Sequence, residues 1–208
     1  MARSLDCTLP LLSVVLLSCC CDLSGAARPA PSGAAAGNTS FVRAWCAGTE
    51  YPALCDETLF PYAAAVGTSP ARLAWAALNA TLAGARGATK AMKAMATGGH
   101  LAPVAAEAAG DCVSMLGDAV DMLRQSVEAM AEQAEEEEGQ ATQQAKFRVD
   151  SVRTWASAAL TDDTMCMEGF KGEAAGVKEA VRGHVVGPAH LTANALGIVN
   201  AMAAQTPP

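Results

Sequence analysis

From Ser69 onward the chain carries small apolar residues at intervals of three and four, over stretches too long for strands. Leu73, Ala77, Ala80, Gly84, Ala88, Ala91 and Met95 form the first stripe. Leu101, Ala105, Ala108, Cys112, Met115, Ala119, Met122, Ser126 and Met130 form the second. That spacing puts each set on one side of a 3.6-residue helix. Alanine, the best helix former, supplies much of an apolar content of 51%, whereas aromatics make up 4%. Small side chains let helices approach closely, and β-branched runs with period two are absent. The pattern predicts an all-α fold, and 208 residues suffice for one domain with its own core.

Local signals set the boundaries. Ser69-Pro70 starts a helix, with Ser as N-cap and Pro at the first helical position. Thr97-Gly98-Gly99-His100 closes it with glycines suited to a left-handed cap. A second helix is predicted over Pro103–Glu135, followed by an acidic break from Glu135 to Gly139 that reads as solvated surface. A third starts near Gln140 and carries Phe147, Val152, Trp155, Ala159 and Leu160; Thr161-Asp162-Asp163 interrupts or bends it. A fourth starts after Gly187-Pro188 and carries Leu191, Ala195, Ile198 and Met202. Four narrow-striped helices with short breaks make an up-down-up-down four-helix bundle, here over 69–205. Two short helices before it, one capped by Ser40 and one from Pro52 to about Tyr62, make a helical hairpin over 40–64.

The N-terminus reads as a signal peptide over residues 1–26. Arg3 stands in a short basic region, Leu9 to Leu17 is an apolar core, and Ser24-Gly25-Ala26 is a small-x-small cleavage pattern. Residues 27–39 read as a flexible lead-in, so ordered structure is expected to begin near Ser40. Of eight cysteines, Cys7, Cys19, Cys20 and Cys21 fall in the segment expected to be removed. Cys46, Cys55, Cys112 and Cys166 remain, and an even number in an oxidising compartment reads as two disulfides. Asn38-Thr39-Ser40 and Asn79-Ala80-Thr81 are glycosylation sequons, so Asn38 and Asn79 are candidate acceptors. No other run is apolar enough to cross a bilayer, which predicts a secreted protein with no membrane partner.

Catalytic chemistry is not signalled. His100, His184 and His190 sit in no metal-binding spacing, and there is neither a nucleophile elbow nor a phosphate-cradling glycine loop. Asp162 and Asp163 could serve as paired acid/base carboxylates; the simpler reading is that Thr161 and Asp162 cap the helical segment after them. Met92, Met95, Met115, Met122 and Met130 read as core filler, not metal ligands. The net charge of −7 is scattered, with no basic stripe for nucleic acid. No catalytic residue, metal or cofactor is expected; at this point an unfamiliar active site stays open beside a secreted helical binding protein without an enzyme target.

Four linked motifs carry a resemblance. Phe41-Val42-Arg43-x-x-Cys46-x-x-Thr49-x-Tyr51-Pro52-x-x-Cys55 resembles the N-terminal hairpin of plant invertase/pectin methylesterase inhibitors. Asp111-Cys112 with Asp118-Ala119-Val120-Asp121-x-Leu123-x-x-Ser126 is similar to their second bundle helix. Val152 to Thr161, then Cys166-x-x-Gly169-Phe170, is similar to the third, and Leu191-Thr192-x-Asn194-Ala195-Leu196 to the last. The match covers about residues 40–204. The resemblance implies a four-helix bundle with a hairpin appendage and bridges Cys46–Cys55 and Cys112–Cys166. It also implies a protein that is no enzyme itself and is secreted to the apoplast and cell wall. Such a protein is a monomer until it forms a 1:1 complex over the substrate cleft of pectin methylesterase or, alternatively, acid invertase. The chain ends shortly after the last motif, which reads as a stand-alone inhibitor. The resemblance leans to the pectin methylesterase branch. Invertase inhibitors are expected to carry Pro-Lys-Phe ahead of the third motif, where this chain has Ala145-Lys146-Phe147. Without a proline the helix should run through, leaving Lys146 and Phe147 on a continuous helical surface.

Overall fold

The computed structural model describes residues 33–135 and 143–205; the expected signal peptide, residues 27–32 of the lead-in and nearly all of the acidic break lie outside them. Seven α-helices follow in order: α1 (Gly33–Cys46), α2 (Pro52–Leu59), α3 (Ala63–Val66), α4 (Pro70–Thr97), α5 (Pro103–Glu135), α6 (Gln143–Glu168) and α7 (Ala175–Gln205). A 3-10 turn at Phe60–Tyr62 joins α2 to α3. The long helices α4 to α7 pack as a bundle in the neighbour order α4–α5–α6–α7, closed by α4 against α7.

The boundaries of α4 follow their local chemistry. The Ser69 hydroxyl accepts the Arg72 amide at 3.3 Å, and Pro70 occupies the first turn. Gly99 at φ +69° takes the left-handed conformation after the last turn. Inside the bundle the buried stripes sit slightly off the expected ones. On α5 the core takes Ala109, Leu116 and Leu123, where the repeat pointed to Ala108, Met115 and Met122. On α4, Leu78, Ala85 and Met92 are central, and Ala80, Gly84, Ala91 and Met95 stand at the margin. When nearly every apolar residue is alanine or glycine, neighbouring registers have similar hydrophobicity, and the few large side chains decide the rotation.

Three expectations are corrected. Helix α1 begins at Gly33, not near Ser40, because Gly33-Ala34-Ala35-Ala36 is itself a helix-forming run. Helix α6 continues through Thr161-Asp162-Asp163 without a break, so Thr161 and Asp162 cap nothing. The Thr161 and Thr164 hydroxyls donate back to the Ser157 and Leu160 carbonyls, at 3.0 and 2.9 Å, and so stay within the helix. Helix α7 begins at Ala175 and runs through Pro188. An interior proline removes one helical hydrogen bond. The buried series Val181, Val185, Ala189, Thr192 continues across it, however, and packing against the bundle holds the two halves as one helix.

The cysteines pair as Cys46–Cys55, with 5.5 Å between Cα atoms, and Cys112–Cys166, at 4.4 Å. The first closes the α1–α2 hairpin and the second ties α5 to α6. The hairpin docks on the α4 and α7 side of the bundle. Asn194 on α7 holds it there: its Oδ1 accepts the Tyr51 amide and its Nδ2 donates to the Tyr51 carbonyl, both at 2.9 Å. Beside that clamp the Tyr51 ring stacks on His190 at 3.7 Å between centroids. Gly197 faces Thr49 of the hairpin, where an added Cβ would make ordinary van der Waals contact at 3.6 Å.

Candidate interaction surface

Because the hairpin covers parts of α4 and α7, the outer faces of α5 and α6 are left to solvent. The exposed stripe of α6 runs Lys146, Phe147, Asp150, Arg153, Thr154, Ser157, Thr161, Thr164 and Met165, three or four residues apart for the whole helix. Its inner stripe, Val149, Val152, Ala156, Ala159 and Cys166, is buried. The outer face therefore contributes little to the core and is free to be chosen for recognition.

At the centre of this face Arg153 is held in place. Its Nε donates to Asn200 Oδ1 of α7 at 2.8 Å, and Nη1 lies 3.1 Å from Asp150 Oδ1. The ion pair is solvent-exposed and contributes little to stability. Its consequence is geometric: two contacts fix a planar guanidinium at the surface. Asp150, Arg153, Thr154, Ser157 and Asn200 line an open polar depression of about 600 Å³ between α6 and α7. Phe147 stands at one end of the stripe with 72% of its surface exposed, and Met165 at the other with 50%. A long face with a fixed arginine, hydroxyls and an unburied aromatic can bind a protein surface; nothing in it supplies nucleophile, base and oxyanion donor together.

The other sequence candidates are dispersed. Asn38 lies within α1, not in a flexible segment, and Asn79 lies on α4. Asp162 and Asp163 point to different environments and do not form a working pair. Asp163 is fully buried; its Oδ2 accepts from Thr192 at 3.1 Å and its Oδ1 has no hydrogen-bond partner. Burial pushes its pKa up to about 7, the Thr192 hydrogen bond opposes that rise, and the charge of Asp162 adds to it. The Asp162 pKa is raised less, by partial burial and then by Asp118. Among the described residues no three His, Cys, Asp or Glu side chains gather as a metal site, and no helix is long and apolar enough to cross a membrane. Phe147, expected with Lys146 on a continuous helical surface, is the most exposed large apolar residue described. The Arg153–Asn200 contact and the Asn194 clamp join residues far apart in sequence, which no local spacing announces; only the occurrence of Arg153 and Asn194 within the quoted motifs hinted at them.

Comparison with known proteins agrees with this architecture. The profile of the plant invertase/pectin methylesterase inhibitor family matches residues 40–198. Pectinesterase inhibitor 10 of Arabidopsis thaliana is 38% identical over 165 residues; the alignment covers 78% of this chain and 51% of that protein, so the chain spans about half its length. The 21 kDa protein of Daucus carota is 34% identical, covering 93% of this chain and 96% of that one. Pectinesterase inhibitor 11 of Arabidopsis thaliana is 34% identical, covering 79% and 81%. In fold, the chain is similar to the crystal structure of mutant form A of a pectin methylesterase inhibitor from Arabidopsis. The TM-score there is 0.60 at 22% identity, over 78% of this chain and 94% of that one. With its motifs, its two bridges, its helical hairpin on a four-helix bundle and a profile match over most of its length, the chain belongs to the plant invertase/pectin methylesterase inhibitor family.

Proposed function

We propose that this chain inhibits pectin methylesterase, forming a 1:1 complex in which the outer face of α6 lies along the enzyme's substrate cleft. The observation that carries the reading is the similarity, at 34–38% identity over most of the chain, to relatives named pectinesterase inhibitors. The form of α6 supports the choice of pectin methylesterase over acid invertase. Ala145 is buried in an unbroken helix, and Lys146 and Phe147 sit on its outer face, not on a proline-kinked loop. A straight helical face suits an extended polysaccharide groove better than a deep disaccharide pocket. The protein acts as a monomer in the apoplast, where its two disulfides persist. Titration of the purified chain into pectin methylesterase and acid invertase assays between pH 5 and 7 tests this. Loss of pectin methylesterase activity at stoichiometric inhibitor is expected. A pectin methylesterase panel left fully active at micromolar excess, with acid invertase blocked, would reverse the assignment.

A further inference from the structure

One apolar face lies away from the α6 surface. Trp75 on α4 is 39% exposed and Tyr62 before α3 is 47% exposed. The two aromatics, with Arg72 and Ala131, line an open groove of about 340 Å³ between the α3–α4 corner and the C-terminal end of α5. Two of the chain's nine aromatic rings are thus partly exposed side by side along one open groove.

The occupant is indicated by the residue one turn further along α4. The solvent-facing stripe of this helix runs Arg72, Trp75, Asn79, Ala83, Arg86, and Asn79 opens the sequon Asn79-Ala80-Thr81. Side chains four apart on a helix are neighbours, and helical side chains lean toward the N-terminus. The structure shows that lean: Asn79 Nδ2 donates to the Trp75 carbonyl at 3.0 Å. A sugar joined to Nδ2 therefore starts over the turn of α4 that carries Trp75, within reach of its indole. Its apolar C–H face matches the flat apolar face of the ring, and further sugars extend toward Tyr62. The second sequon has no such platform, since the residue one turn before Asn38 is Ala34.

We propose that Asn79 carries an N-linked glycan whose first sugars pack on Trp75 and continue into the Trp75–Tyr62 groove, so that carbohydrate covers this face. The chain's two disulfides place its folding in an oxidising lumen, the compartment in which such glycans are attached. Attachment occurs on the extended chain, before α4 forms. The bond from Nδ2 to the sugar C1 forms as the C1–O bond to a lipid-linked diphosphate donor breaks. The diphosphate leaves with that electron pair, and the amide gives up one of its two protons. The remaining N–H can keep its bond to the Trp75 carbonyl.

The test uses the full chain secreted from a plant host, with Trp75→Ala and Asn79→Gln variants and their double. Peptide mapping should find Asn79 occupied, and sugar-to-indole nuclear Overhauser contacts should be present. Enzymatic removal of the glycan should lower Tm by about 2–4 °C with Trp75 present and by less than half as much in Trp75→Ala, as for loss of one aromatic contact. A secreted chain unmodified at Asn79 overturns the proposal. So does an occupied Asn79 whose glycan removal shifts Tm equally in both backgrounds with no sugar-to-indole contacts.

Discussion

Asp163 occupies a position on α6 where the neighbours one turn away, Ala159 and Cys166, are buried core. Burial of the carboxyl, with one oxygen unpartnered beside the single hydrogen bond from Thr192, disfavours the ionised form and raises the pKa from 3.8 to about 7. The sign of the consequence follows from linkage. With the folded pKa above the unfolded one, the folded state binds the proton more tightly. Full stability is present below about pH 4 and is lost progressively as pH rises toward 7. Three units correspond to roughly 4 kcal/mol, an order-of-magnitude figure. The urea midpoint of the wild-type chain is therefore expected to fall between pH 5 and 8. Asp163→Asn, which keeps an acceptor for Thr192 and cannot ionise, should flatten that slope and exceed wild type at pH 8. Equal slopes in the two proteins would show that another group carries the dependence. None of this was readable from Thr161-Asp162-Asp163 alone. Two adjacent aspartates look like a helix break until the opposing helix is known to offer Thr192.

At the scale of elements, the ends of α4 and the span of α5 were legible because each depends on local chemistry: a Ser-Pro start, a Gly-Gly stop and two long small-residue repeats. Helix α7 was not, because Gly187-Pro188 is a strong local stop that is overruled by burial of Val181 and Val185 on one side and Ala189 and Thr192 on the other. Tertiary contacts also decide how the hairpin holds on. Replacing Asn194 by Ala removes both bonds to Tyr51 and leaves a half-buried backbone amide and carbonyl without them. A loss of about 1–3 kcal/mol is expected, with faster hydrogen exchange at Tyr51 and across α2 as the local signature. Unchanged exchange there would mean that the Tyr51–His190 stack and the core hold the hairpin without the clamp. The disulfides rank by the loops they close. Cys46 and Cys55 are 9 residues apart, Cys112 and Cys166 54 apart. Chain entropy assigns the first about 2.7 kcal/mol and the second about 4.2. The double variant Cys112→Ser with Cys166→Ser should therefore lose more stability in urea than Cys46→Ser with Cys55→Ser. The reverse order would point to native-state strain or residual structure in the unfolded chain.

Across the whole molecule, the docked hairpin gives the bundle a side that is already partnered and leaves the 26-residue α6, about 39 Å long, facing outward. A face of that length can contribute a large part of the roughly 800 Å² per partner that a specific complex buries. The proposal that α6 binds could not be drawn along the chain, since every long helix has a polar stripe; it rests on α6 running unbroken past Ala145 and on the hairpin lying elsewhere. Binding energy in such interfaces concentrates in a few aromatic and arginine side chains. Here the residues of those types on the open face are Phe147, 72% exposed in the free protein, and Arg153, held at the surface by Asn200 and Asp150. Neither supports the core, so substitution should leave the fold intact. Phe147→Ala and Arg153→Ala are each expected to raise the inhibition constant against pectin methylesterase by roughly thirtyfold, the equivalent of about 2 kcal/mol, with Tm within a degree or two of wild type. Arg86→Ala, on the outer face of α4, serves as the control and should inhibit like the parent chain. If Arg86→Ala weakens inhibition while both α6 variants retain it, the contact surface lies on α4, and the α6 face is merely solvated.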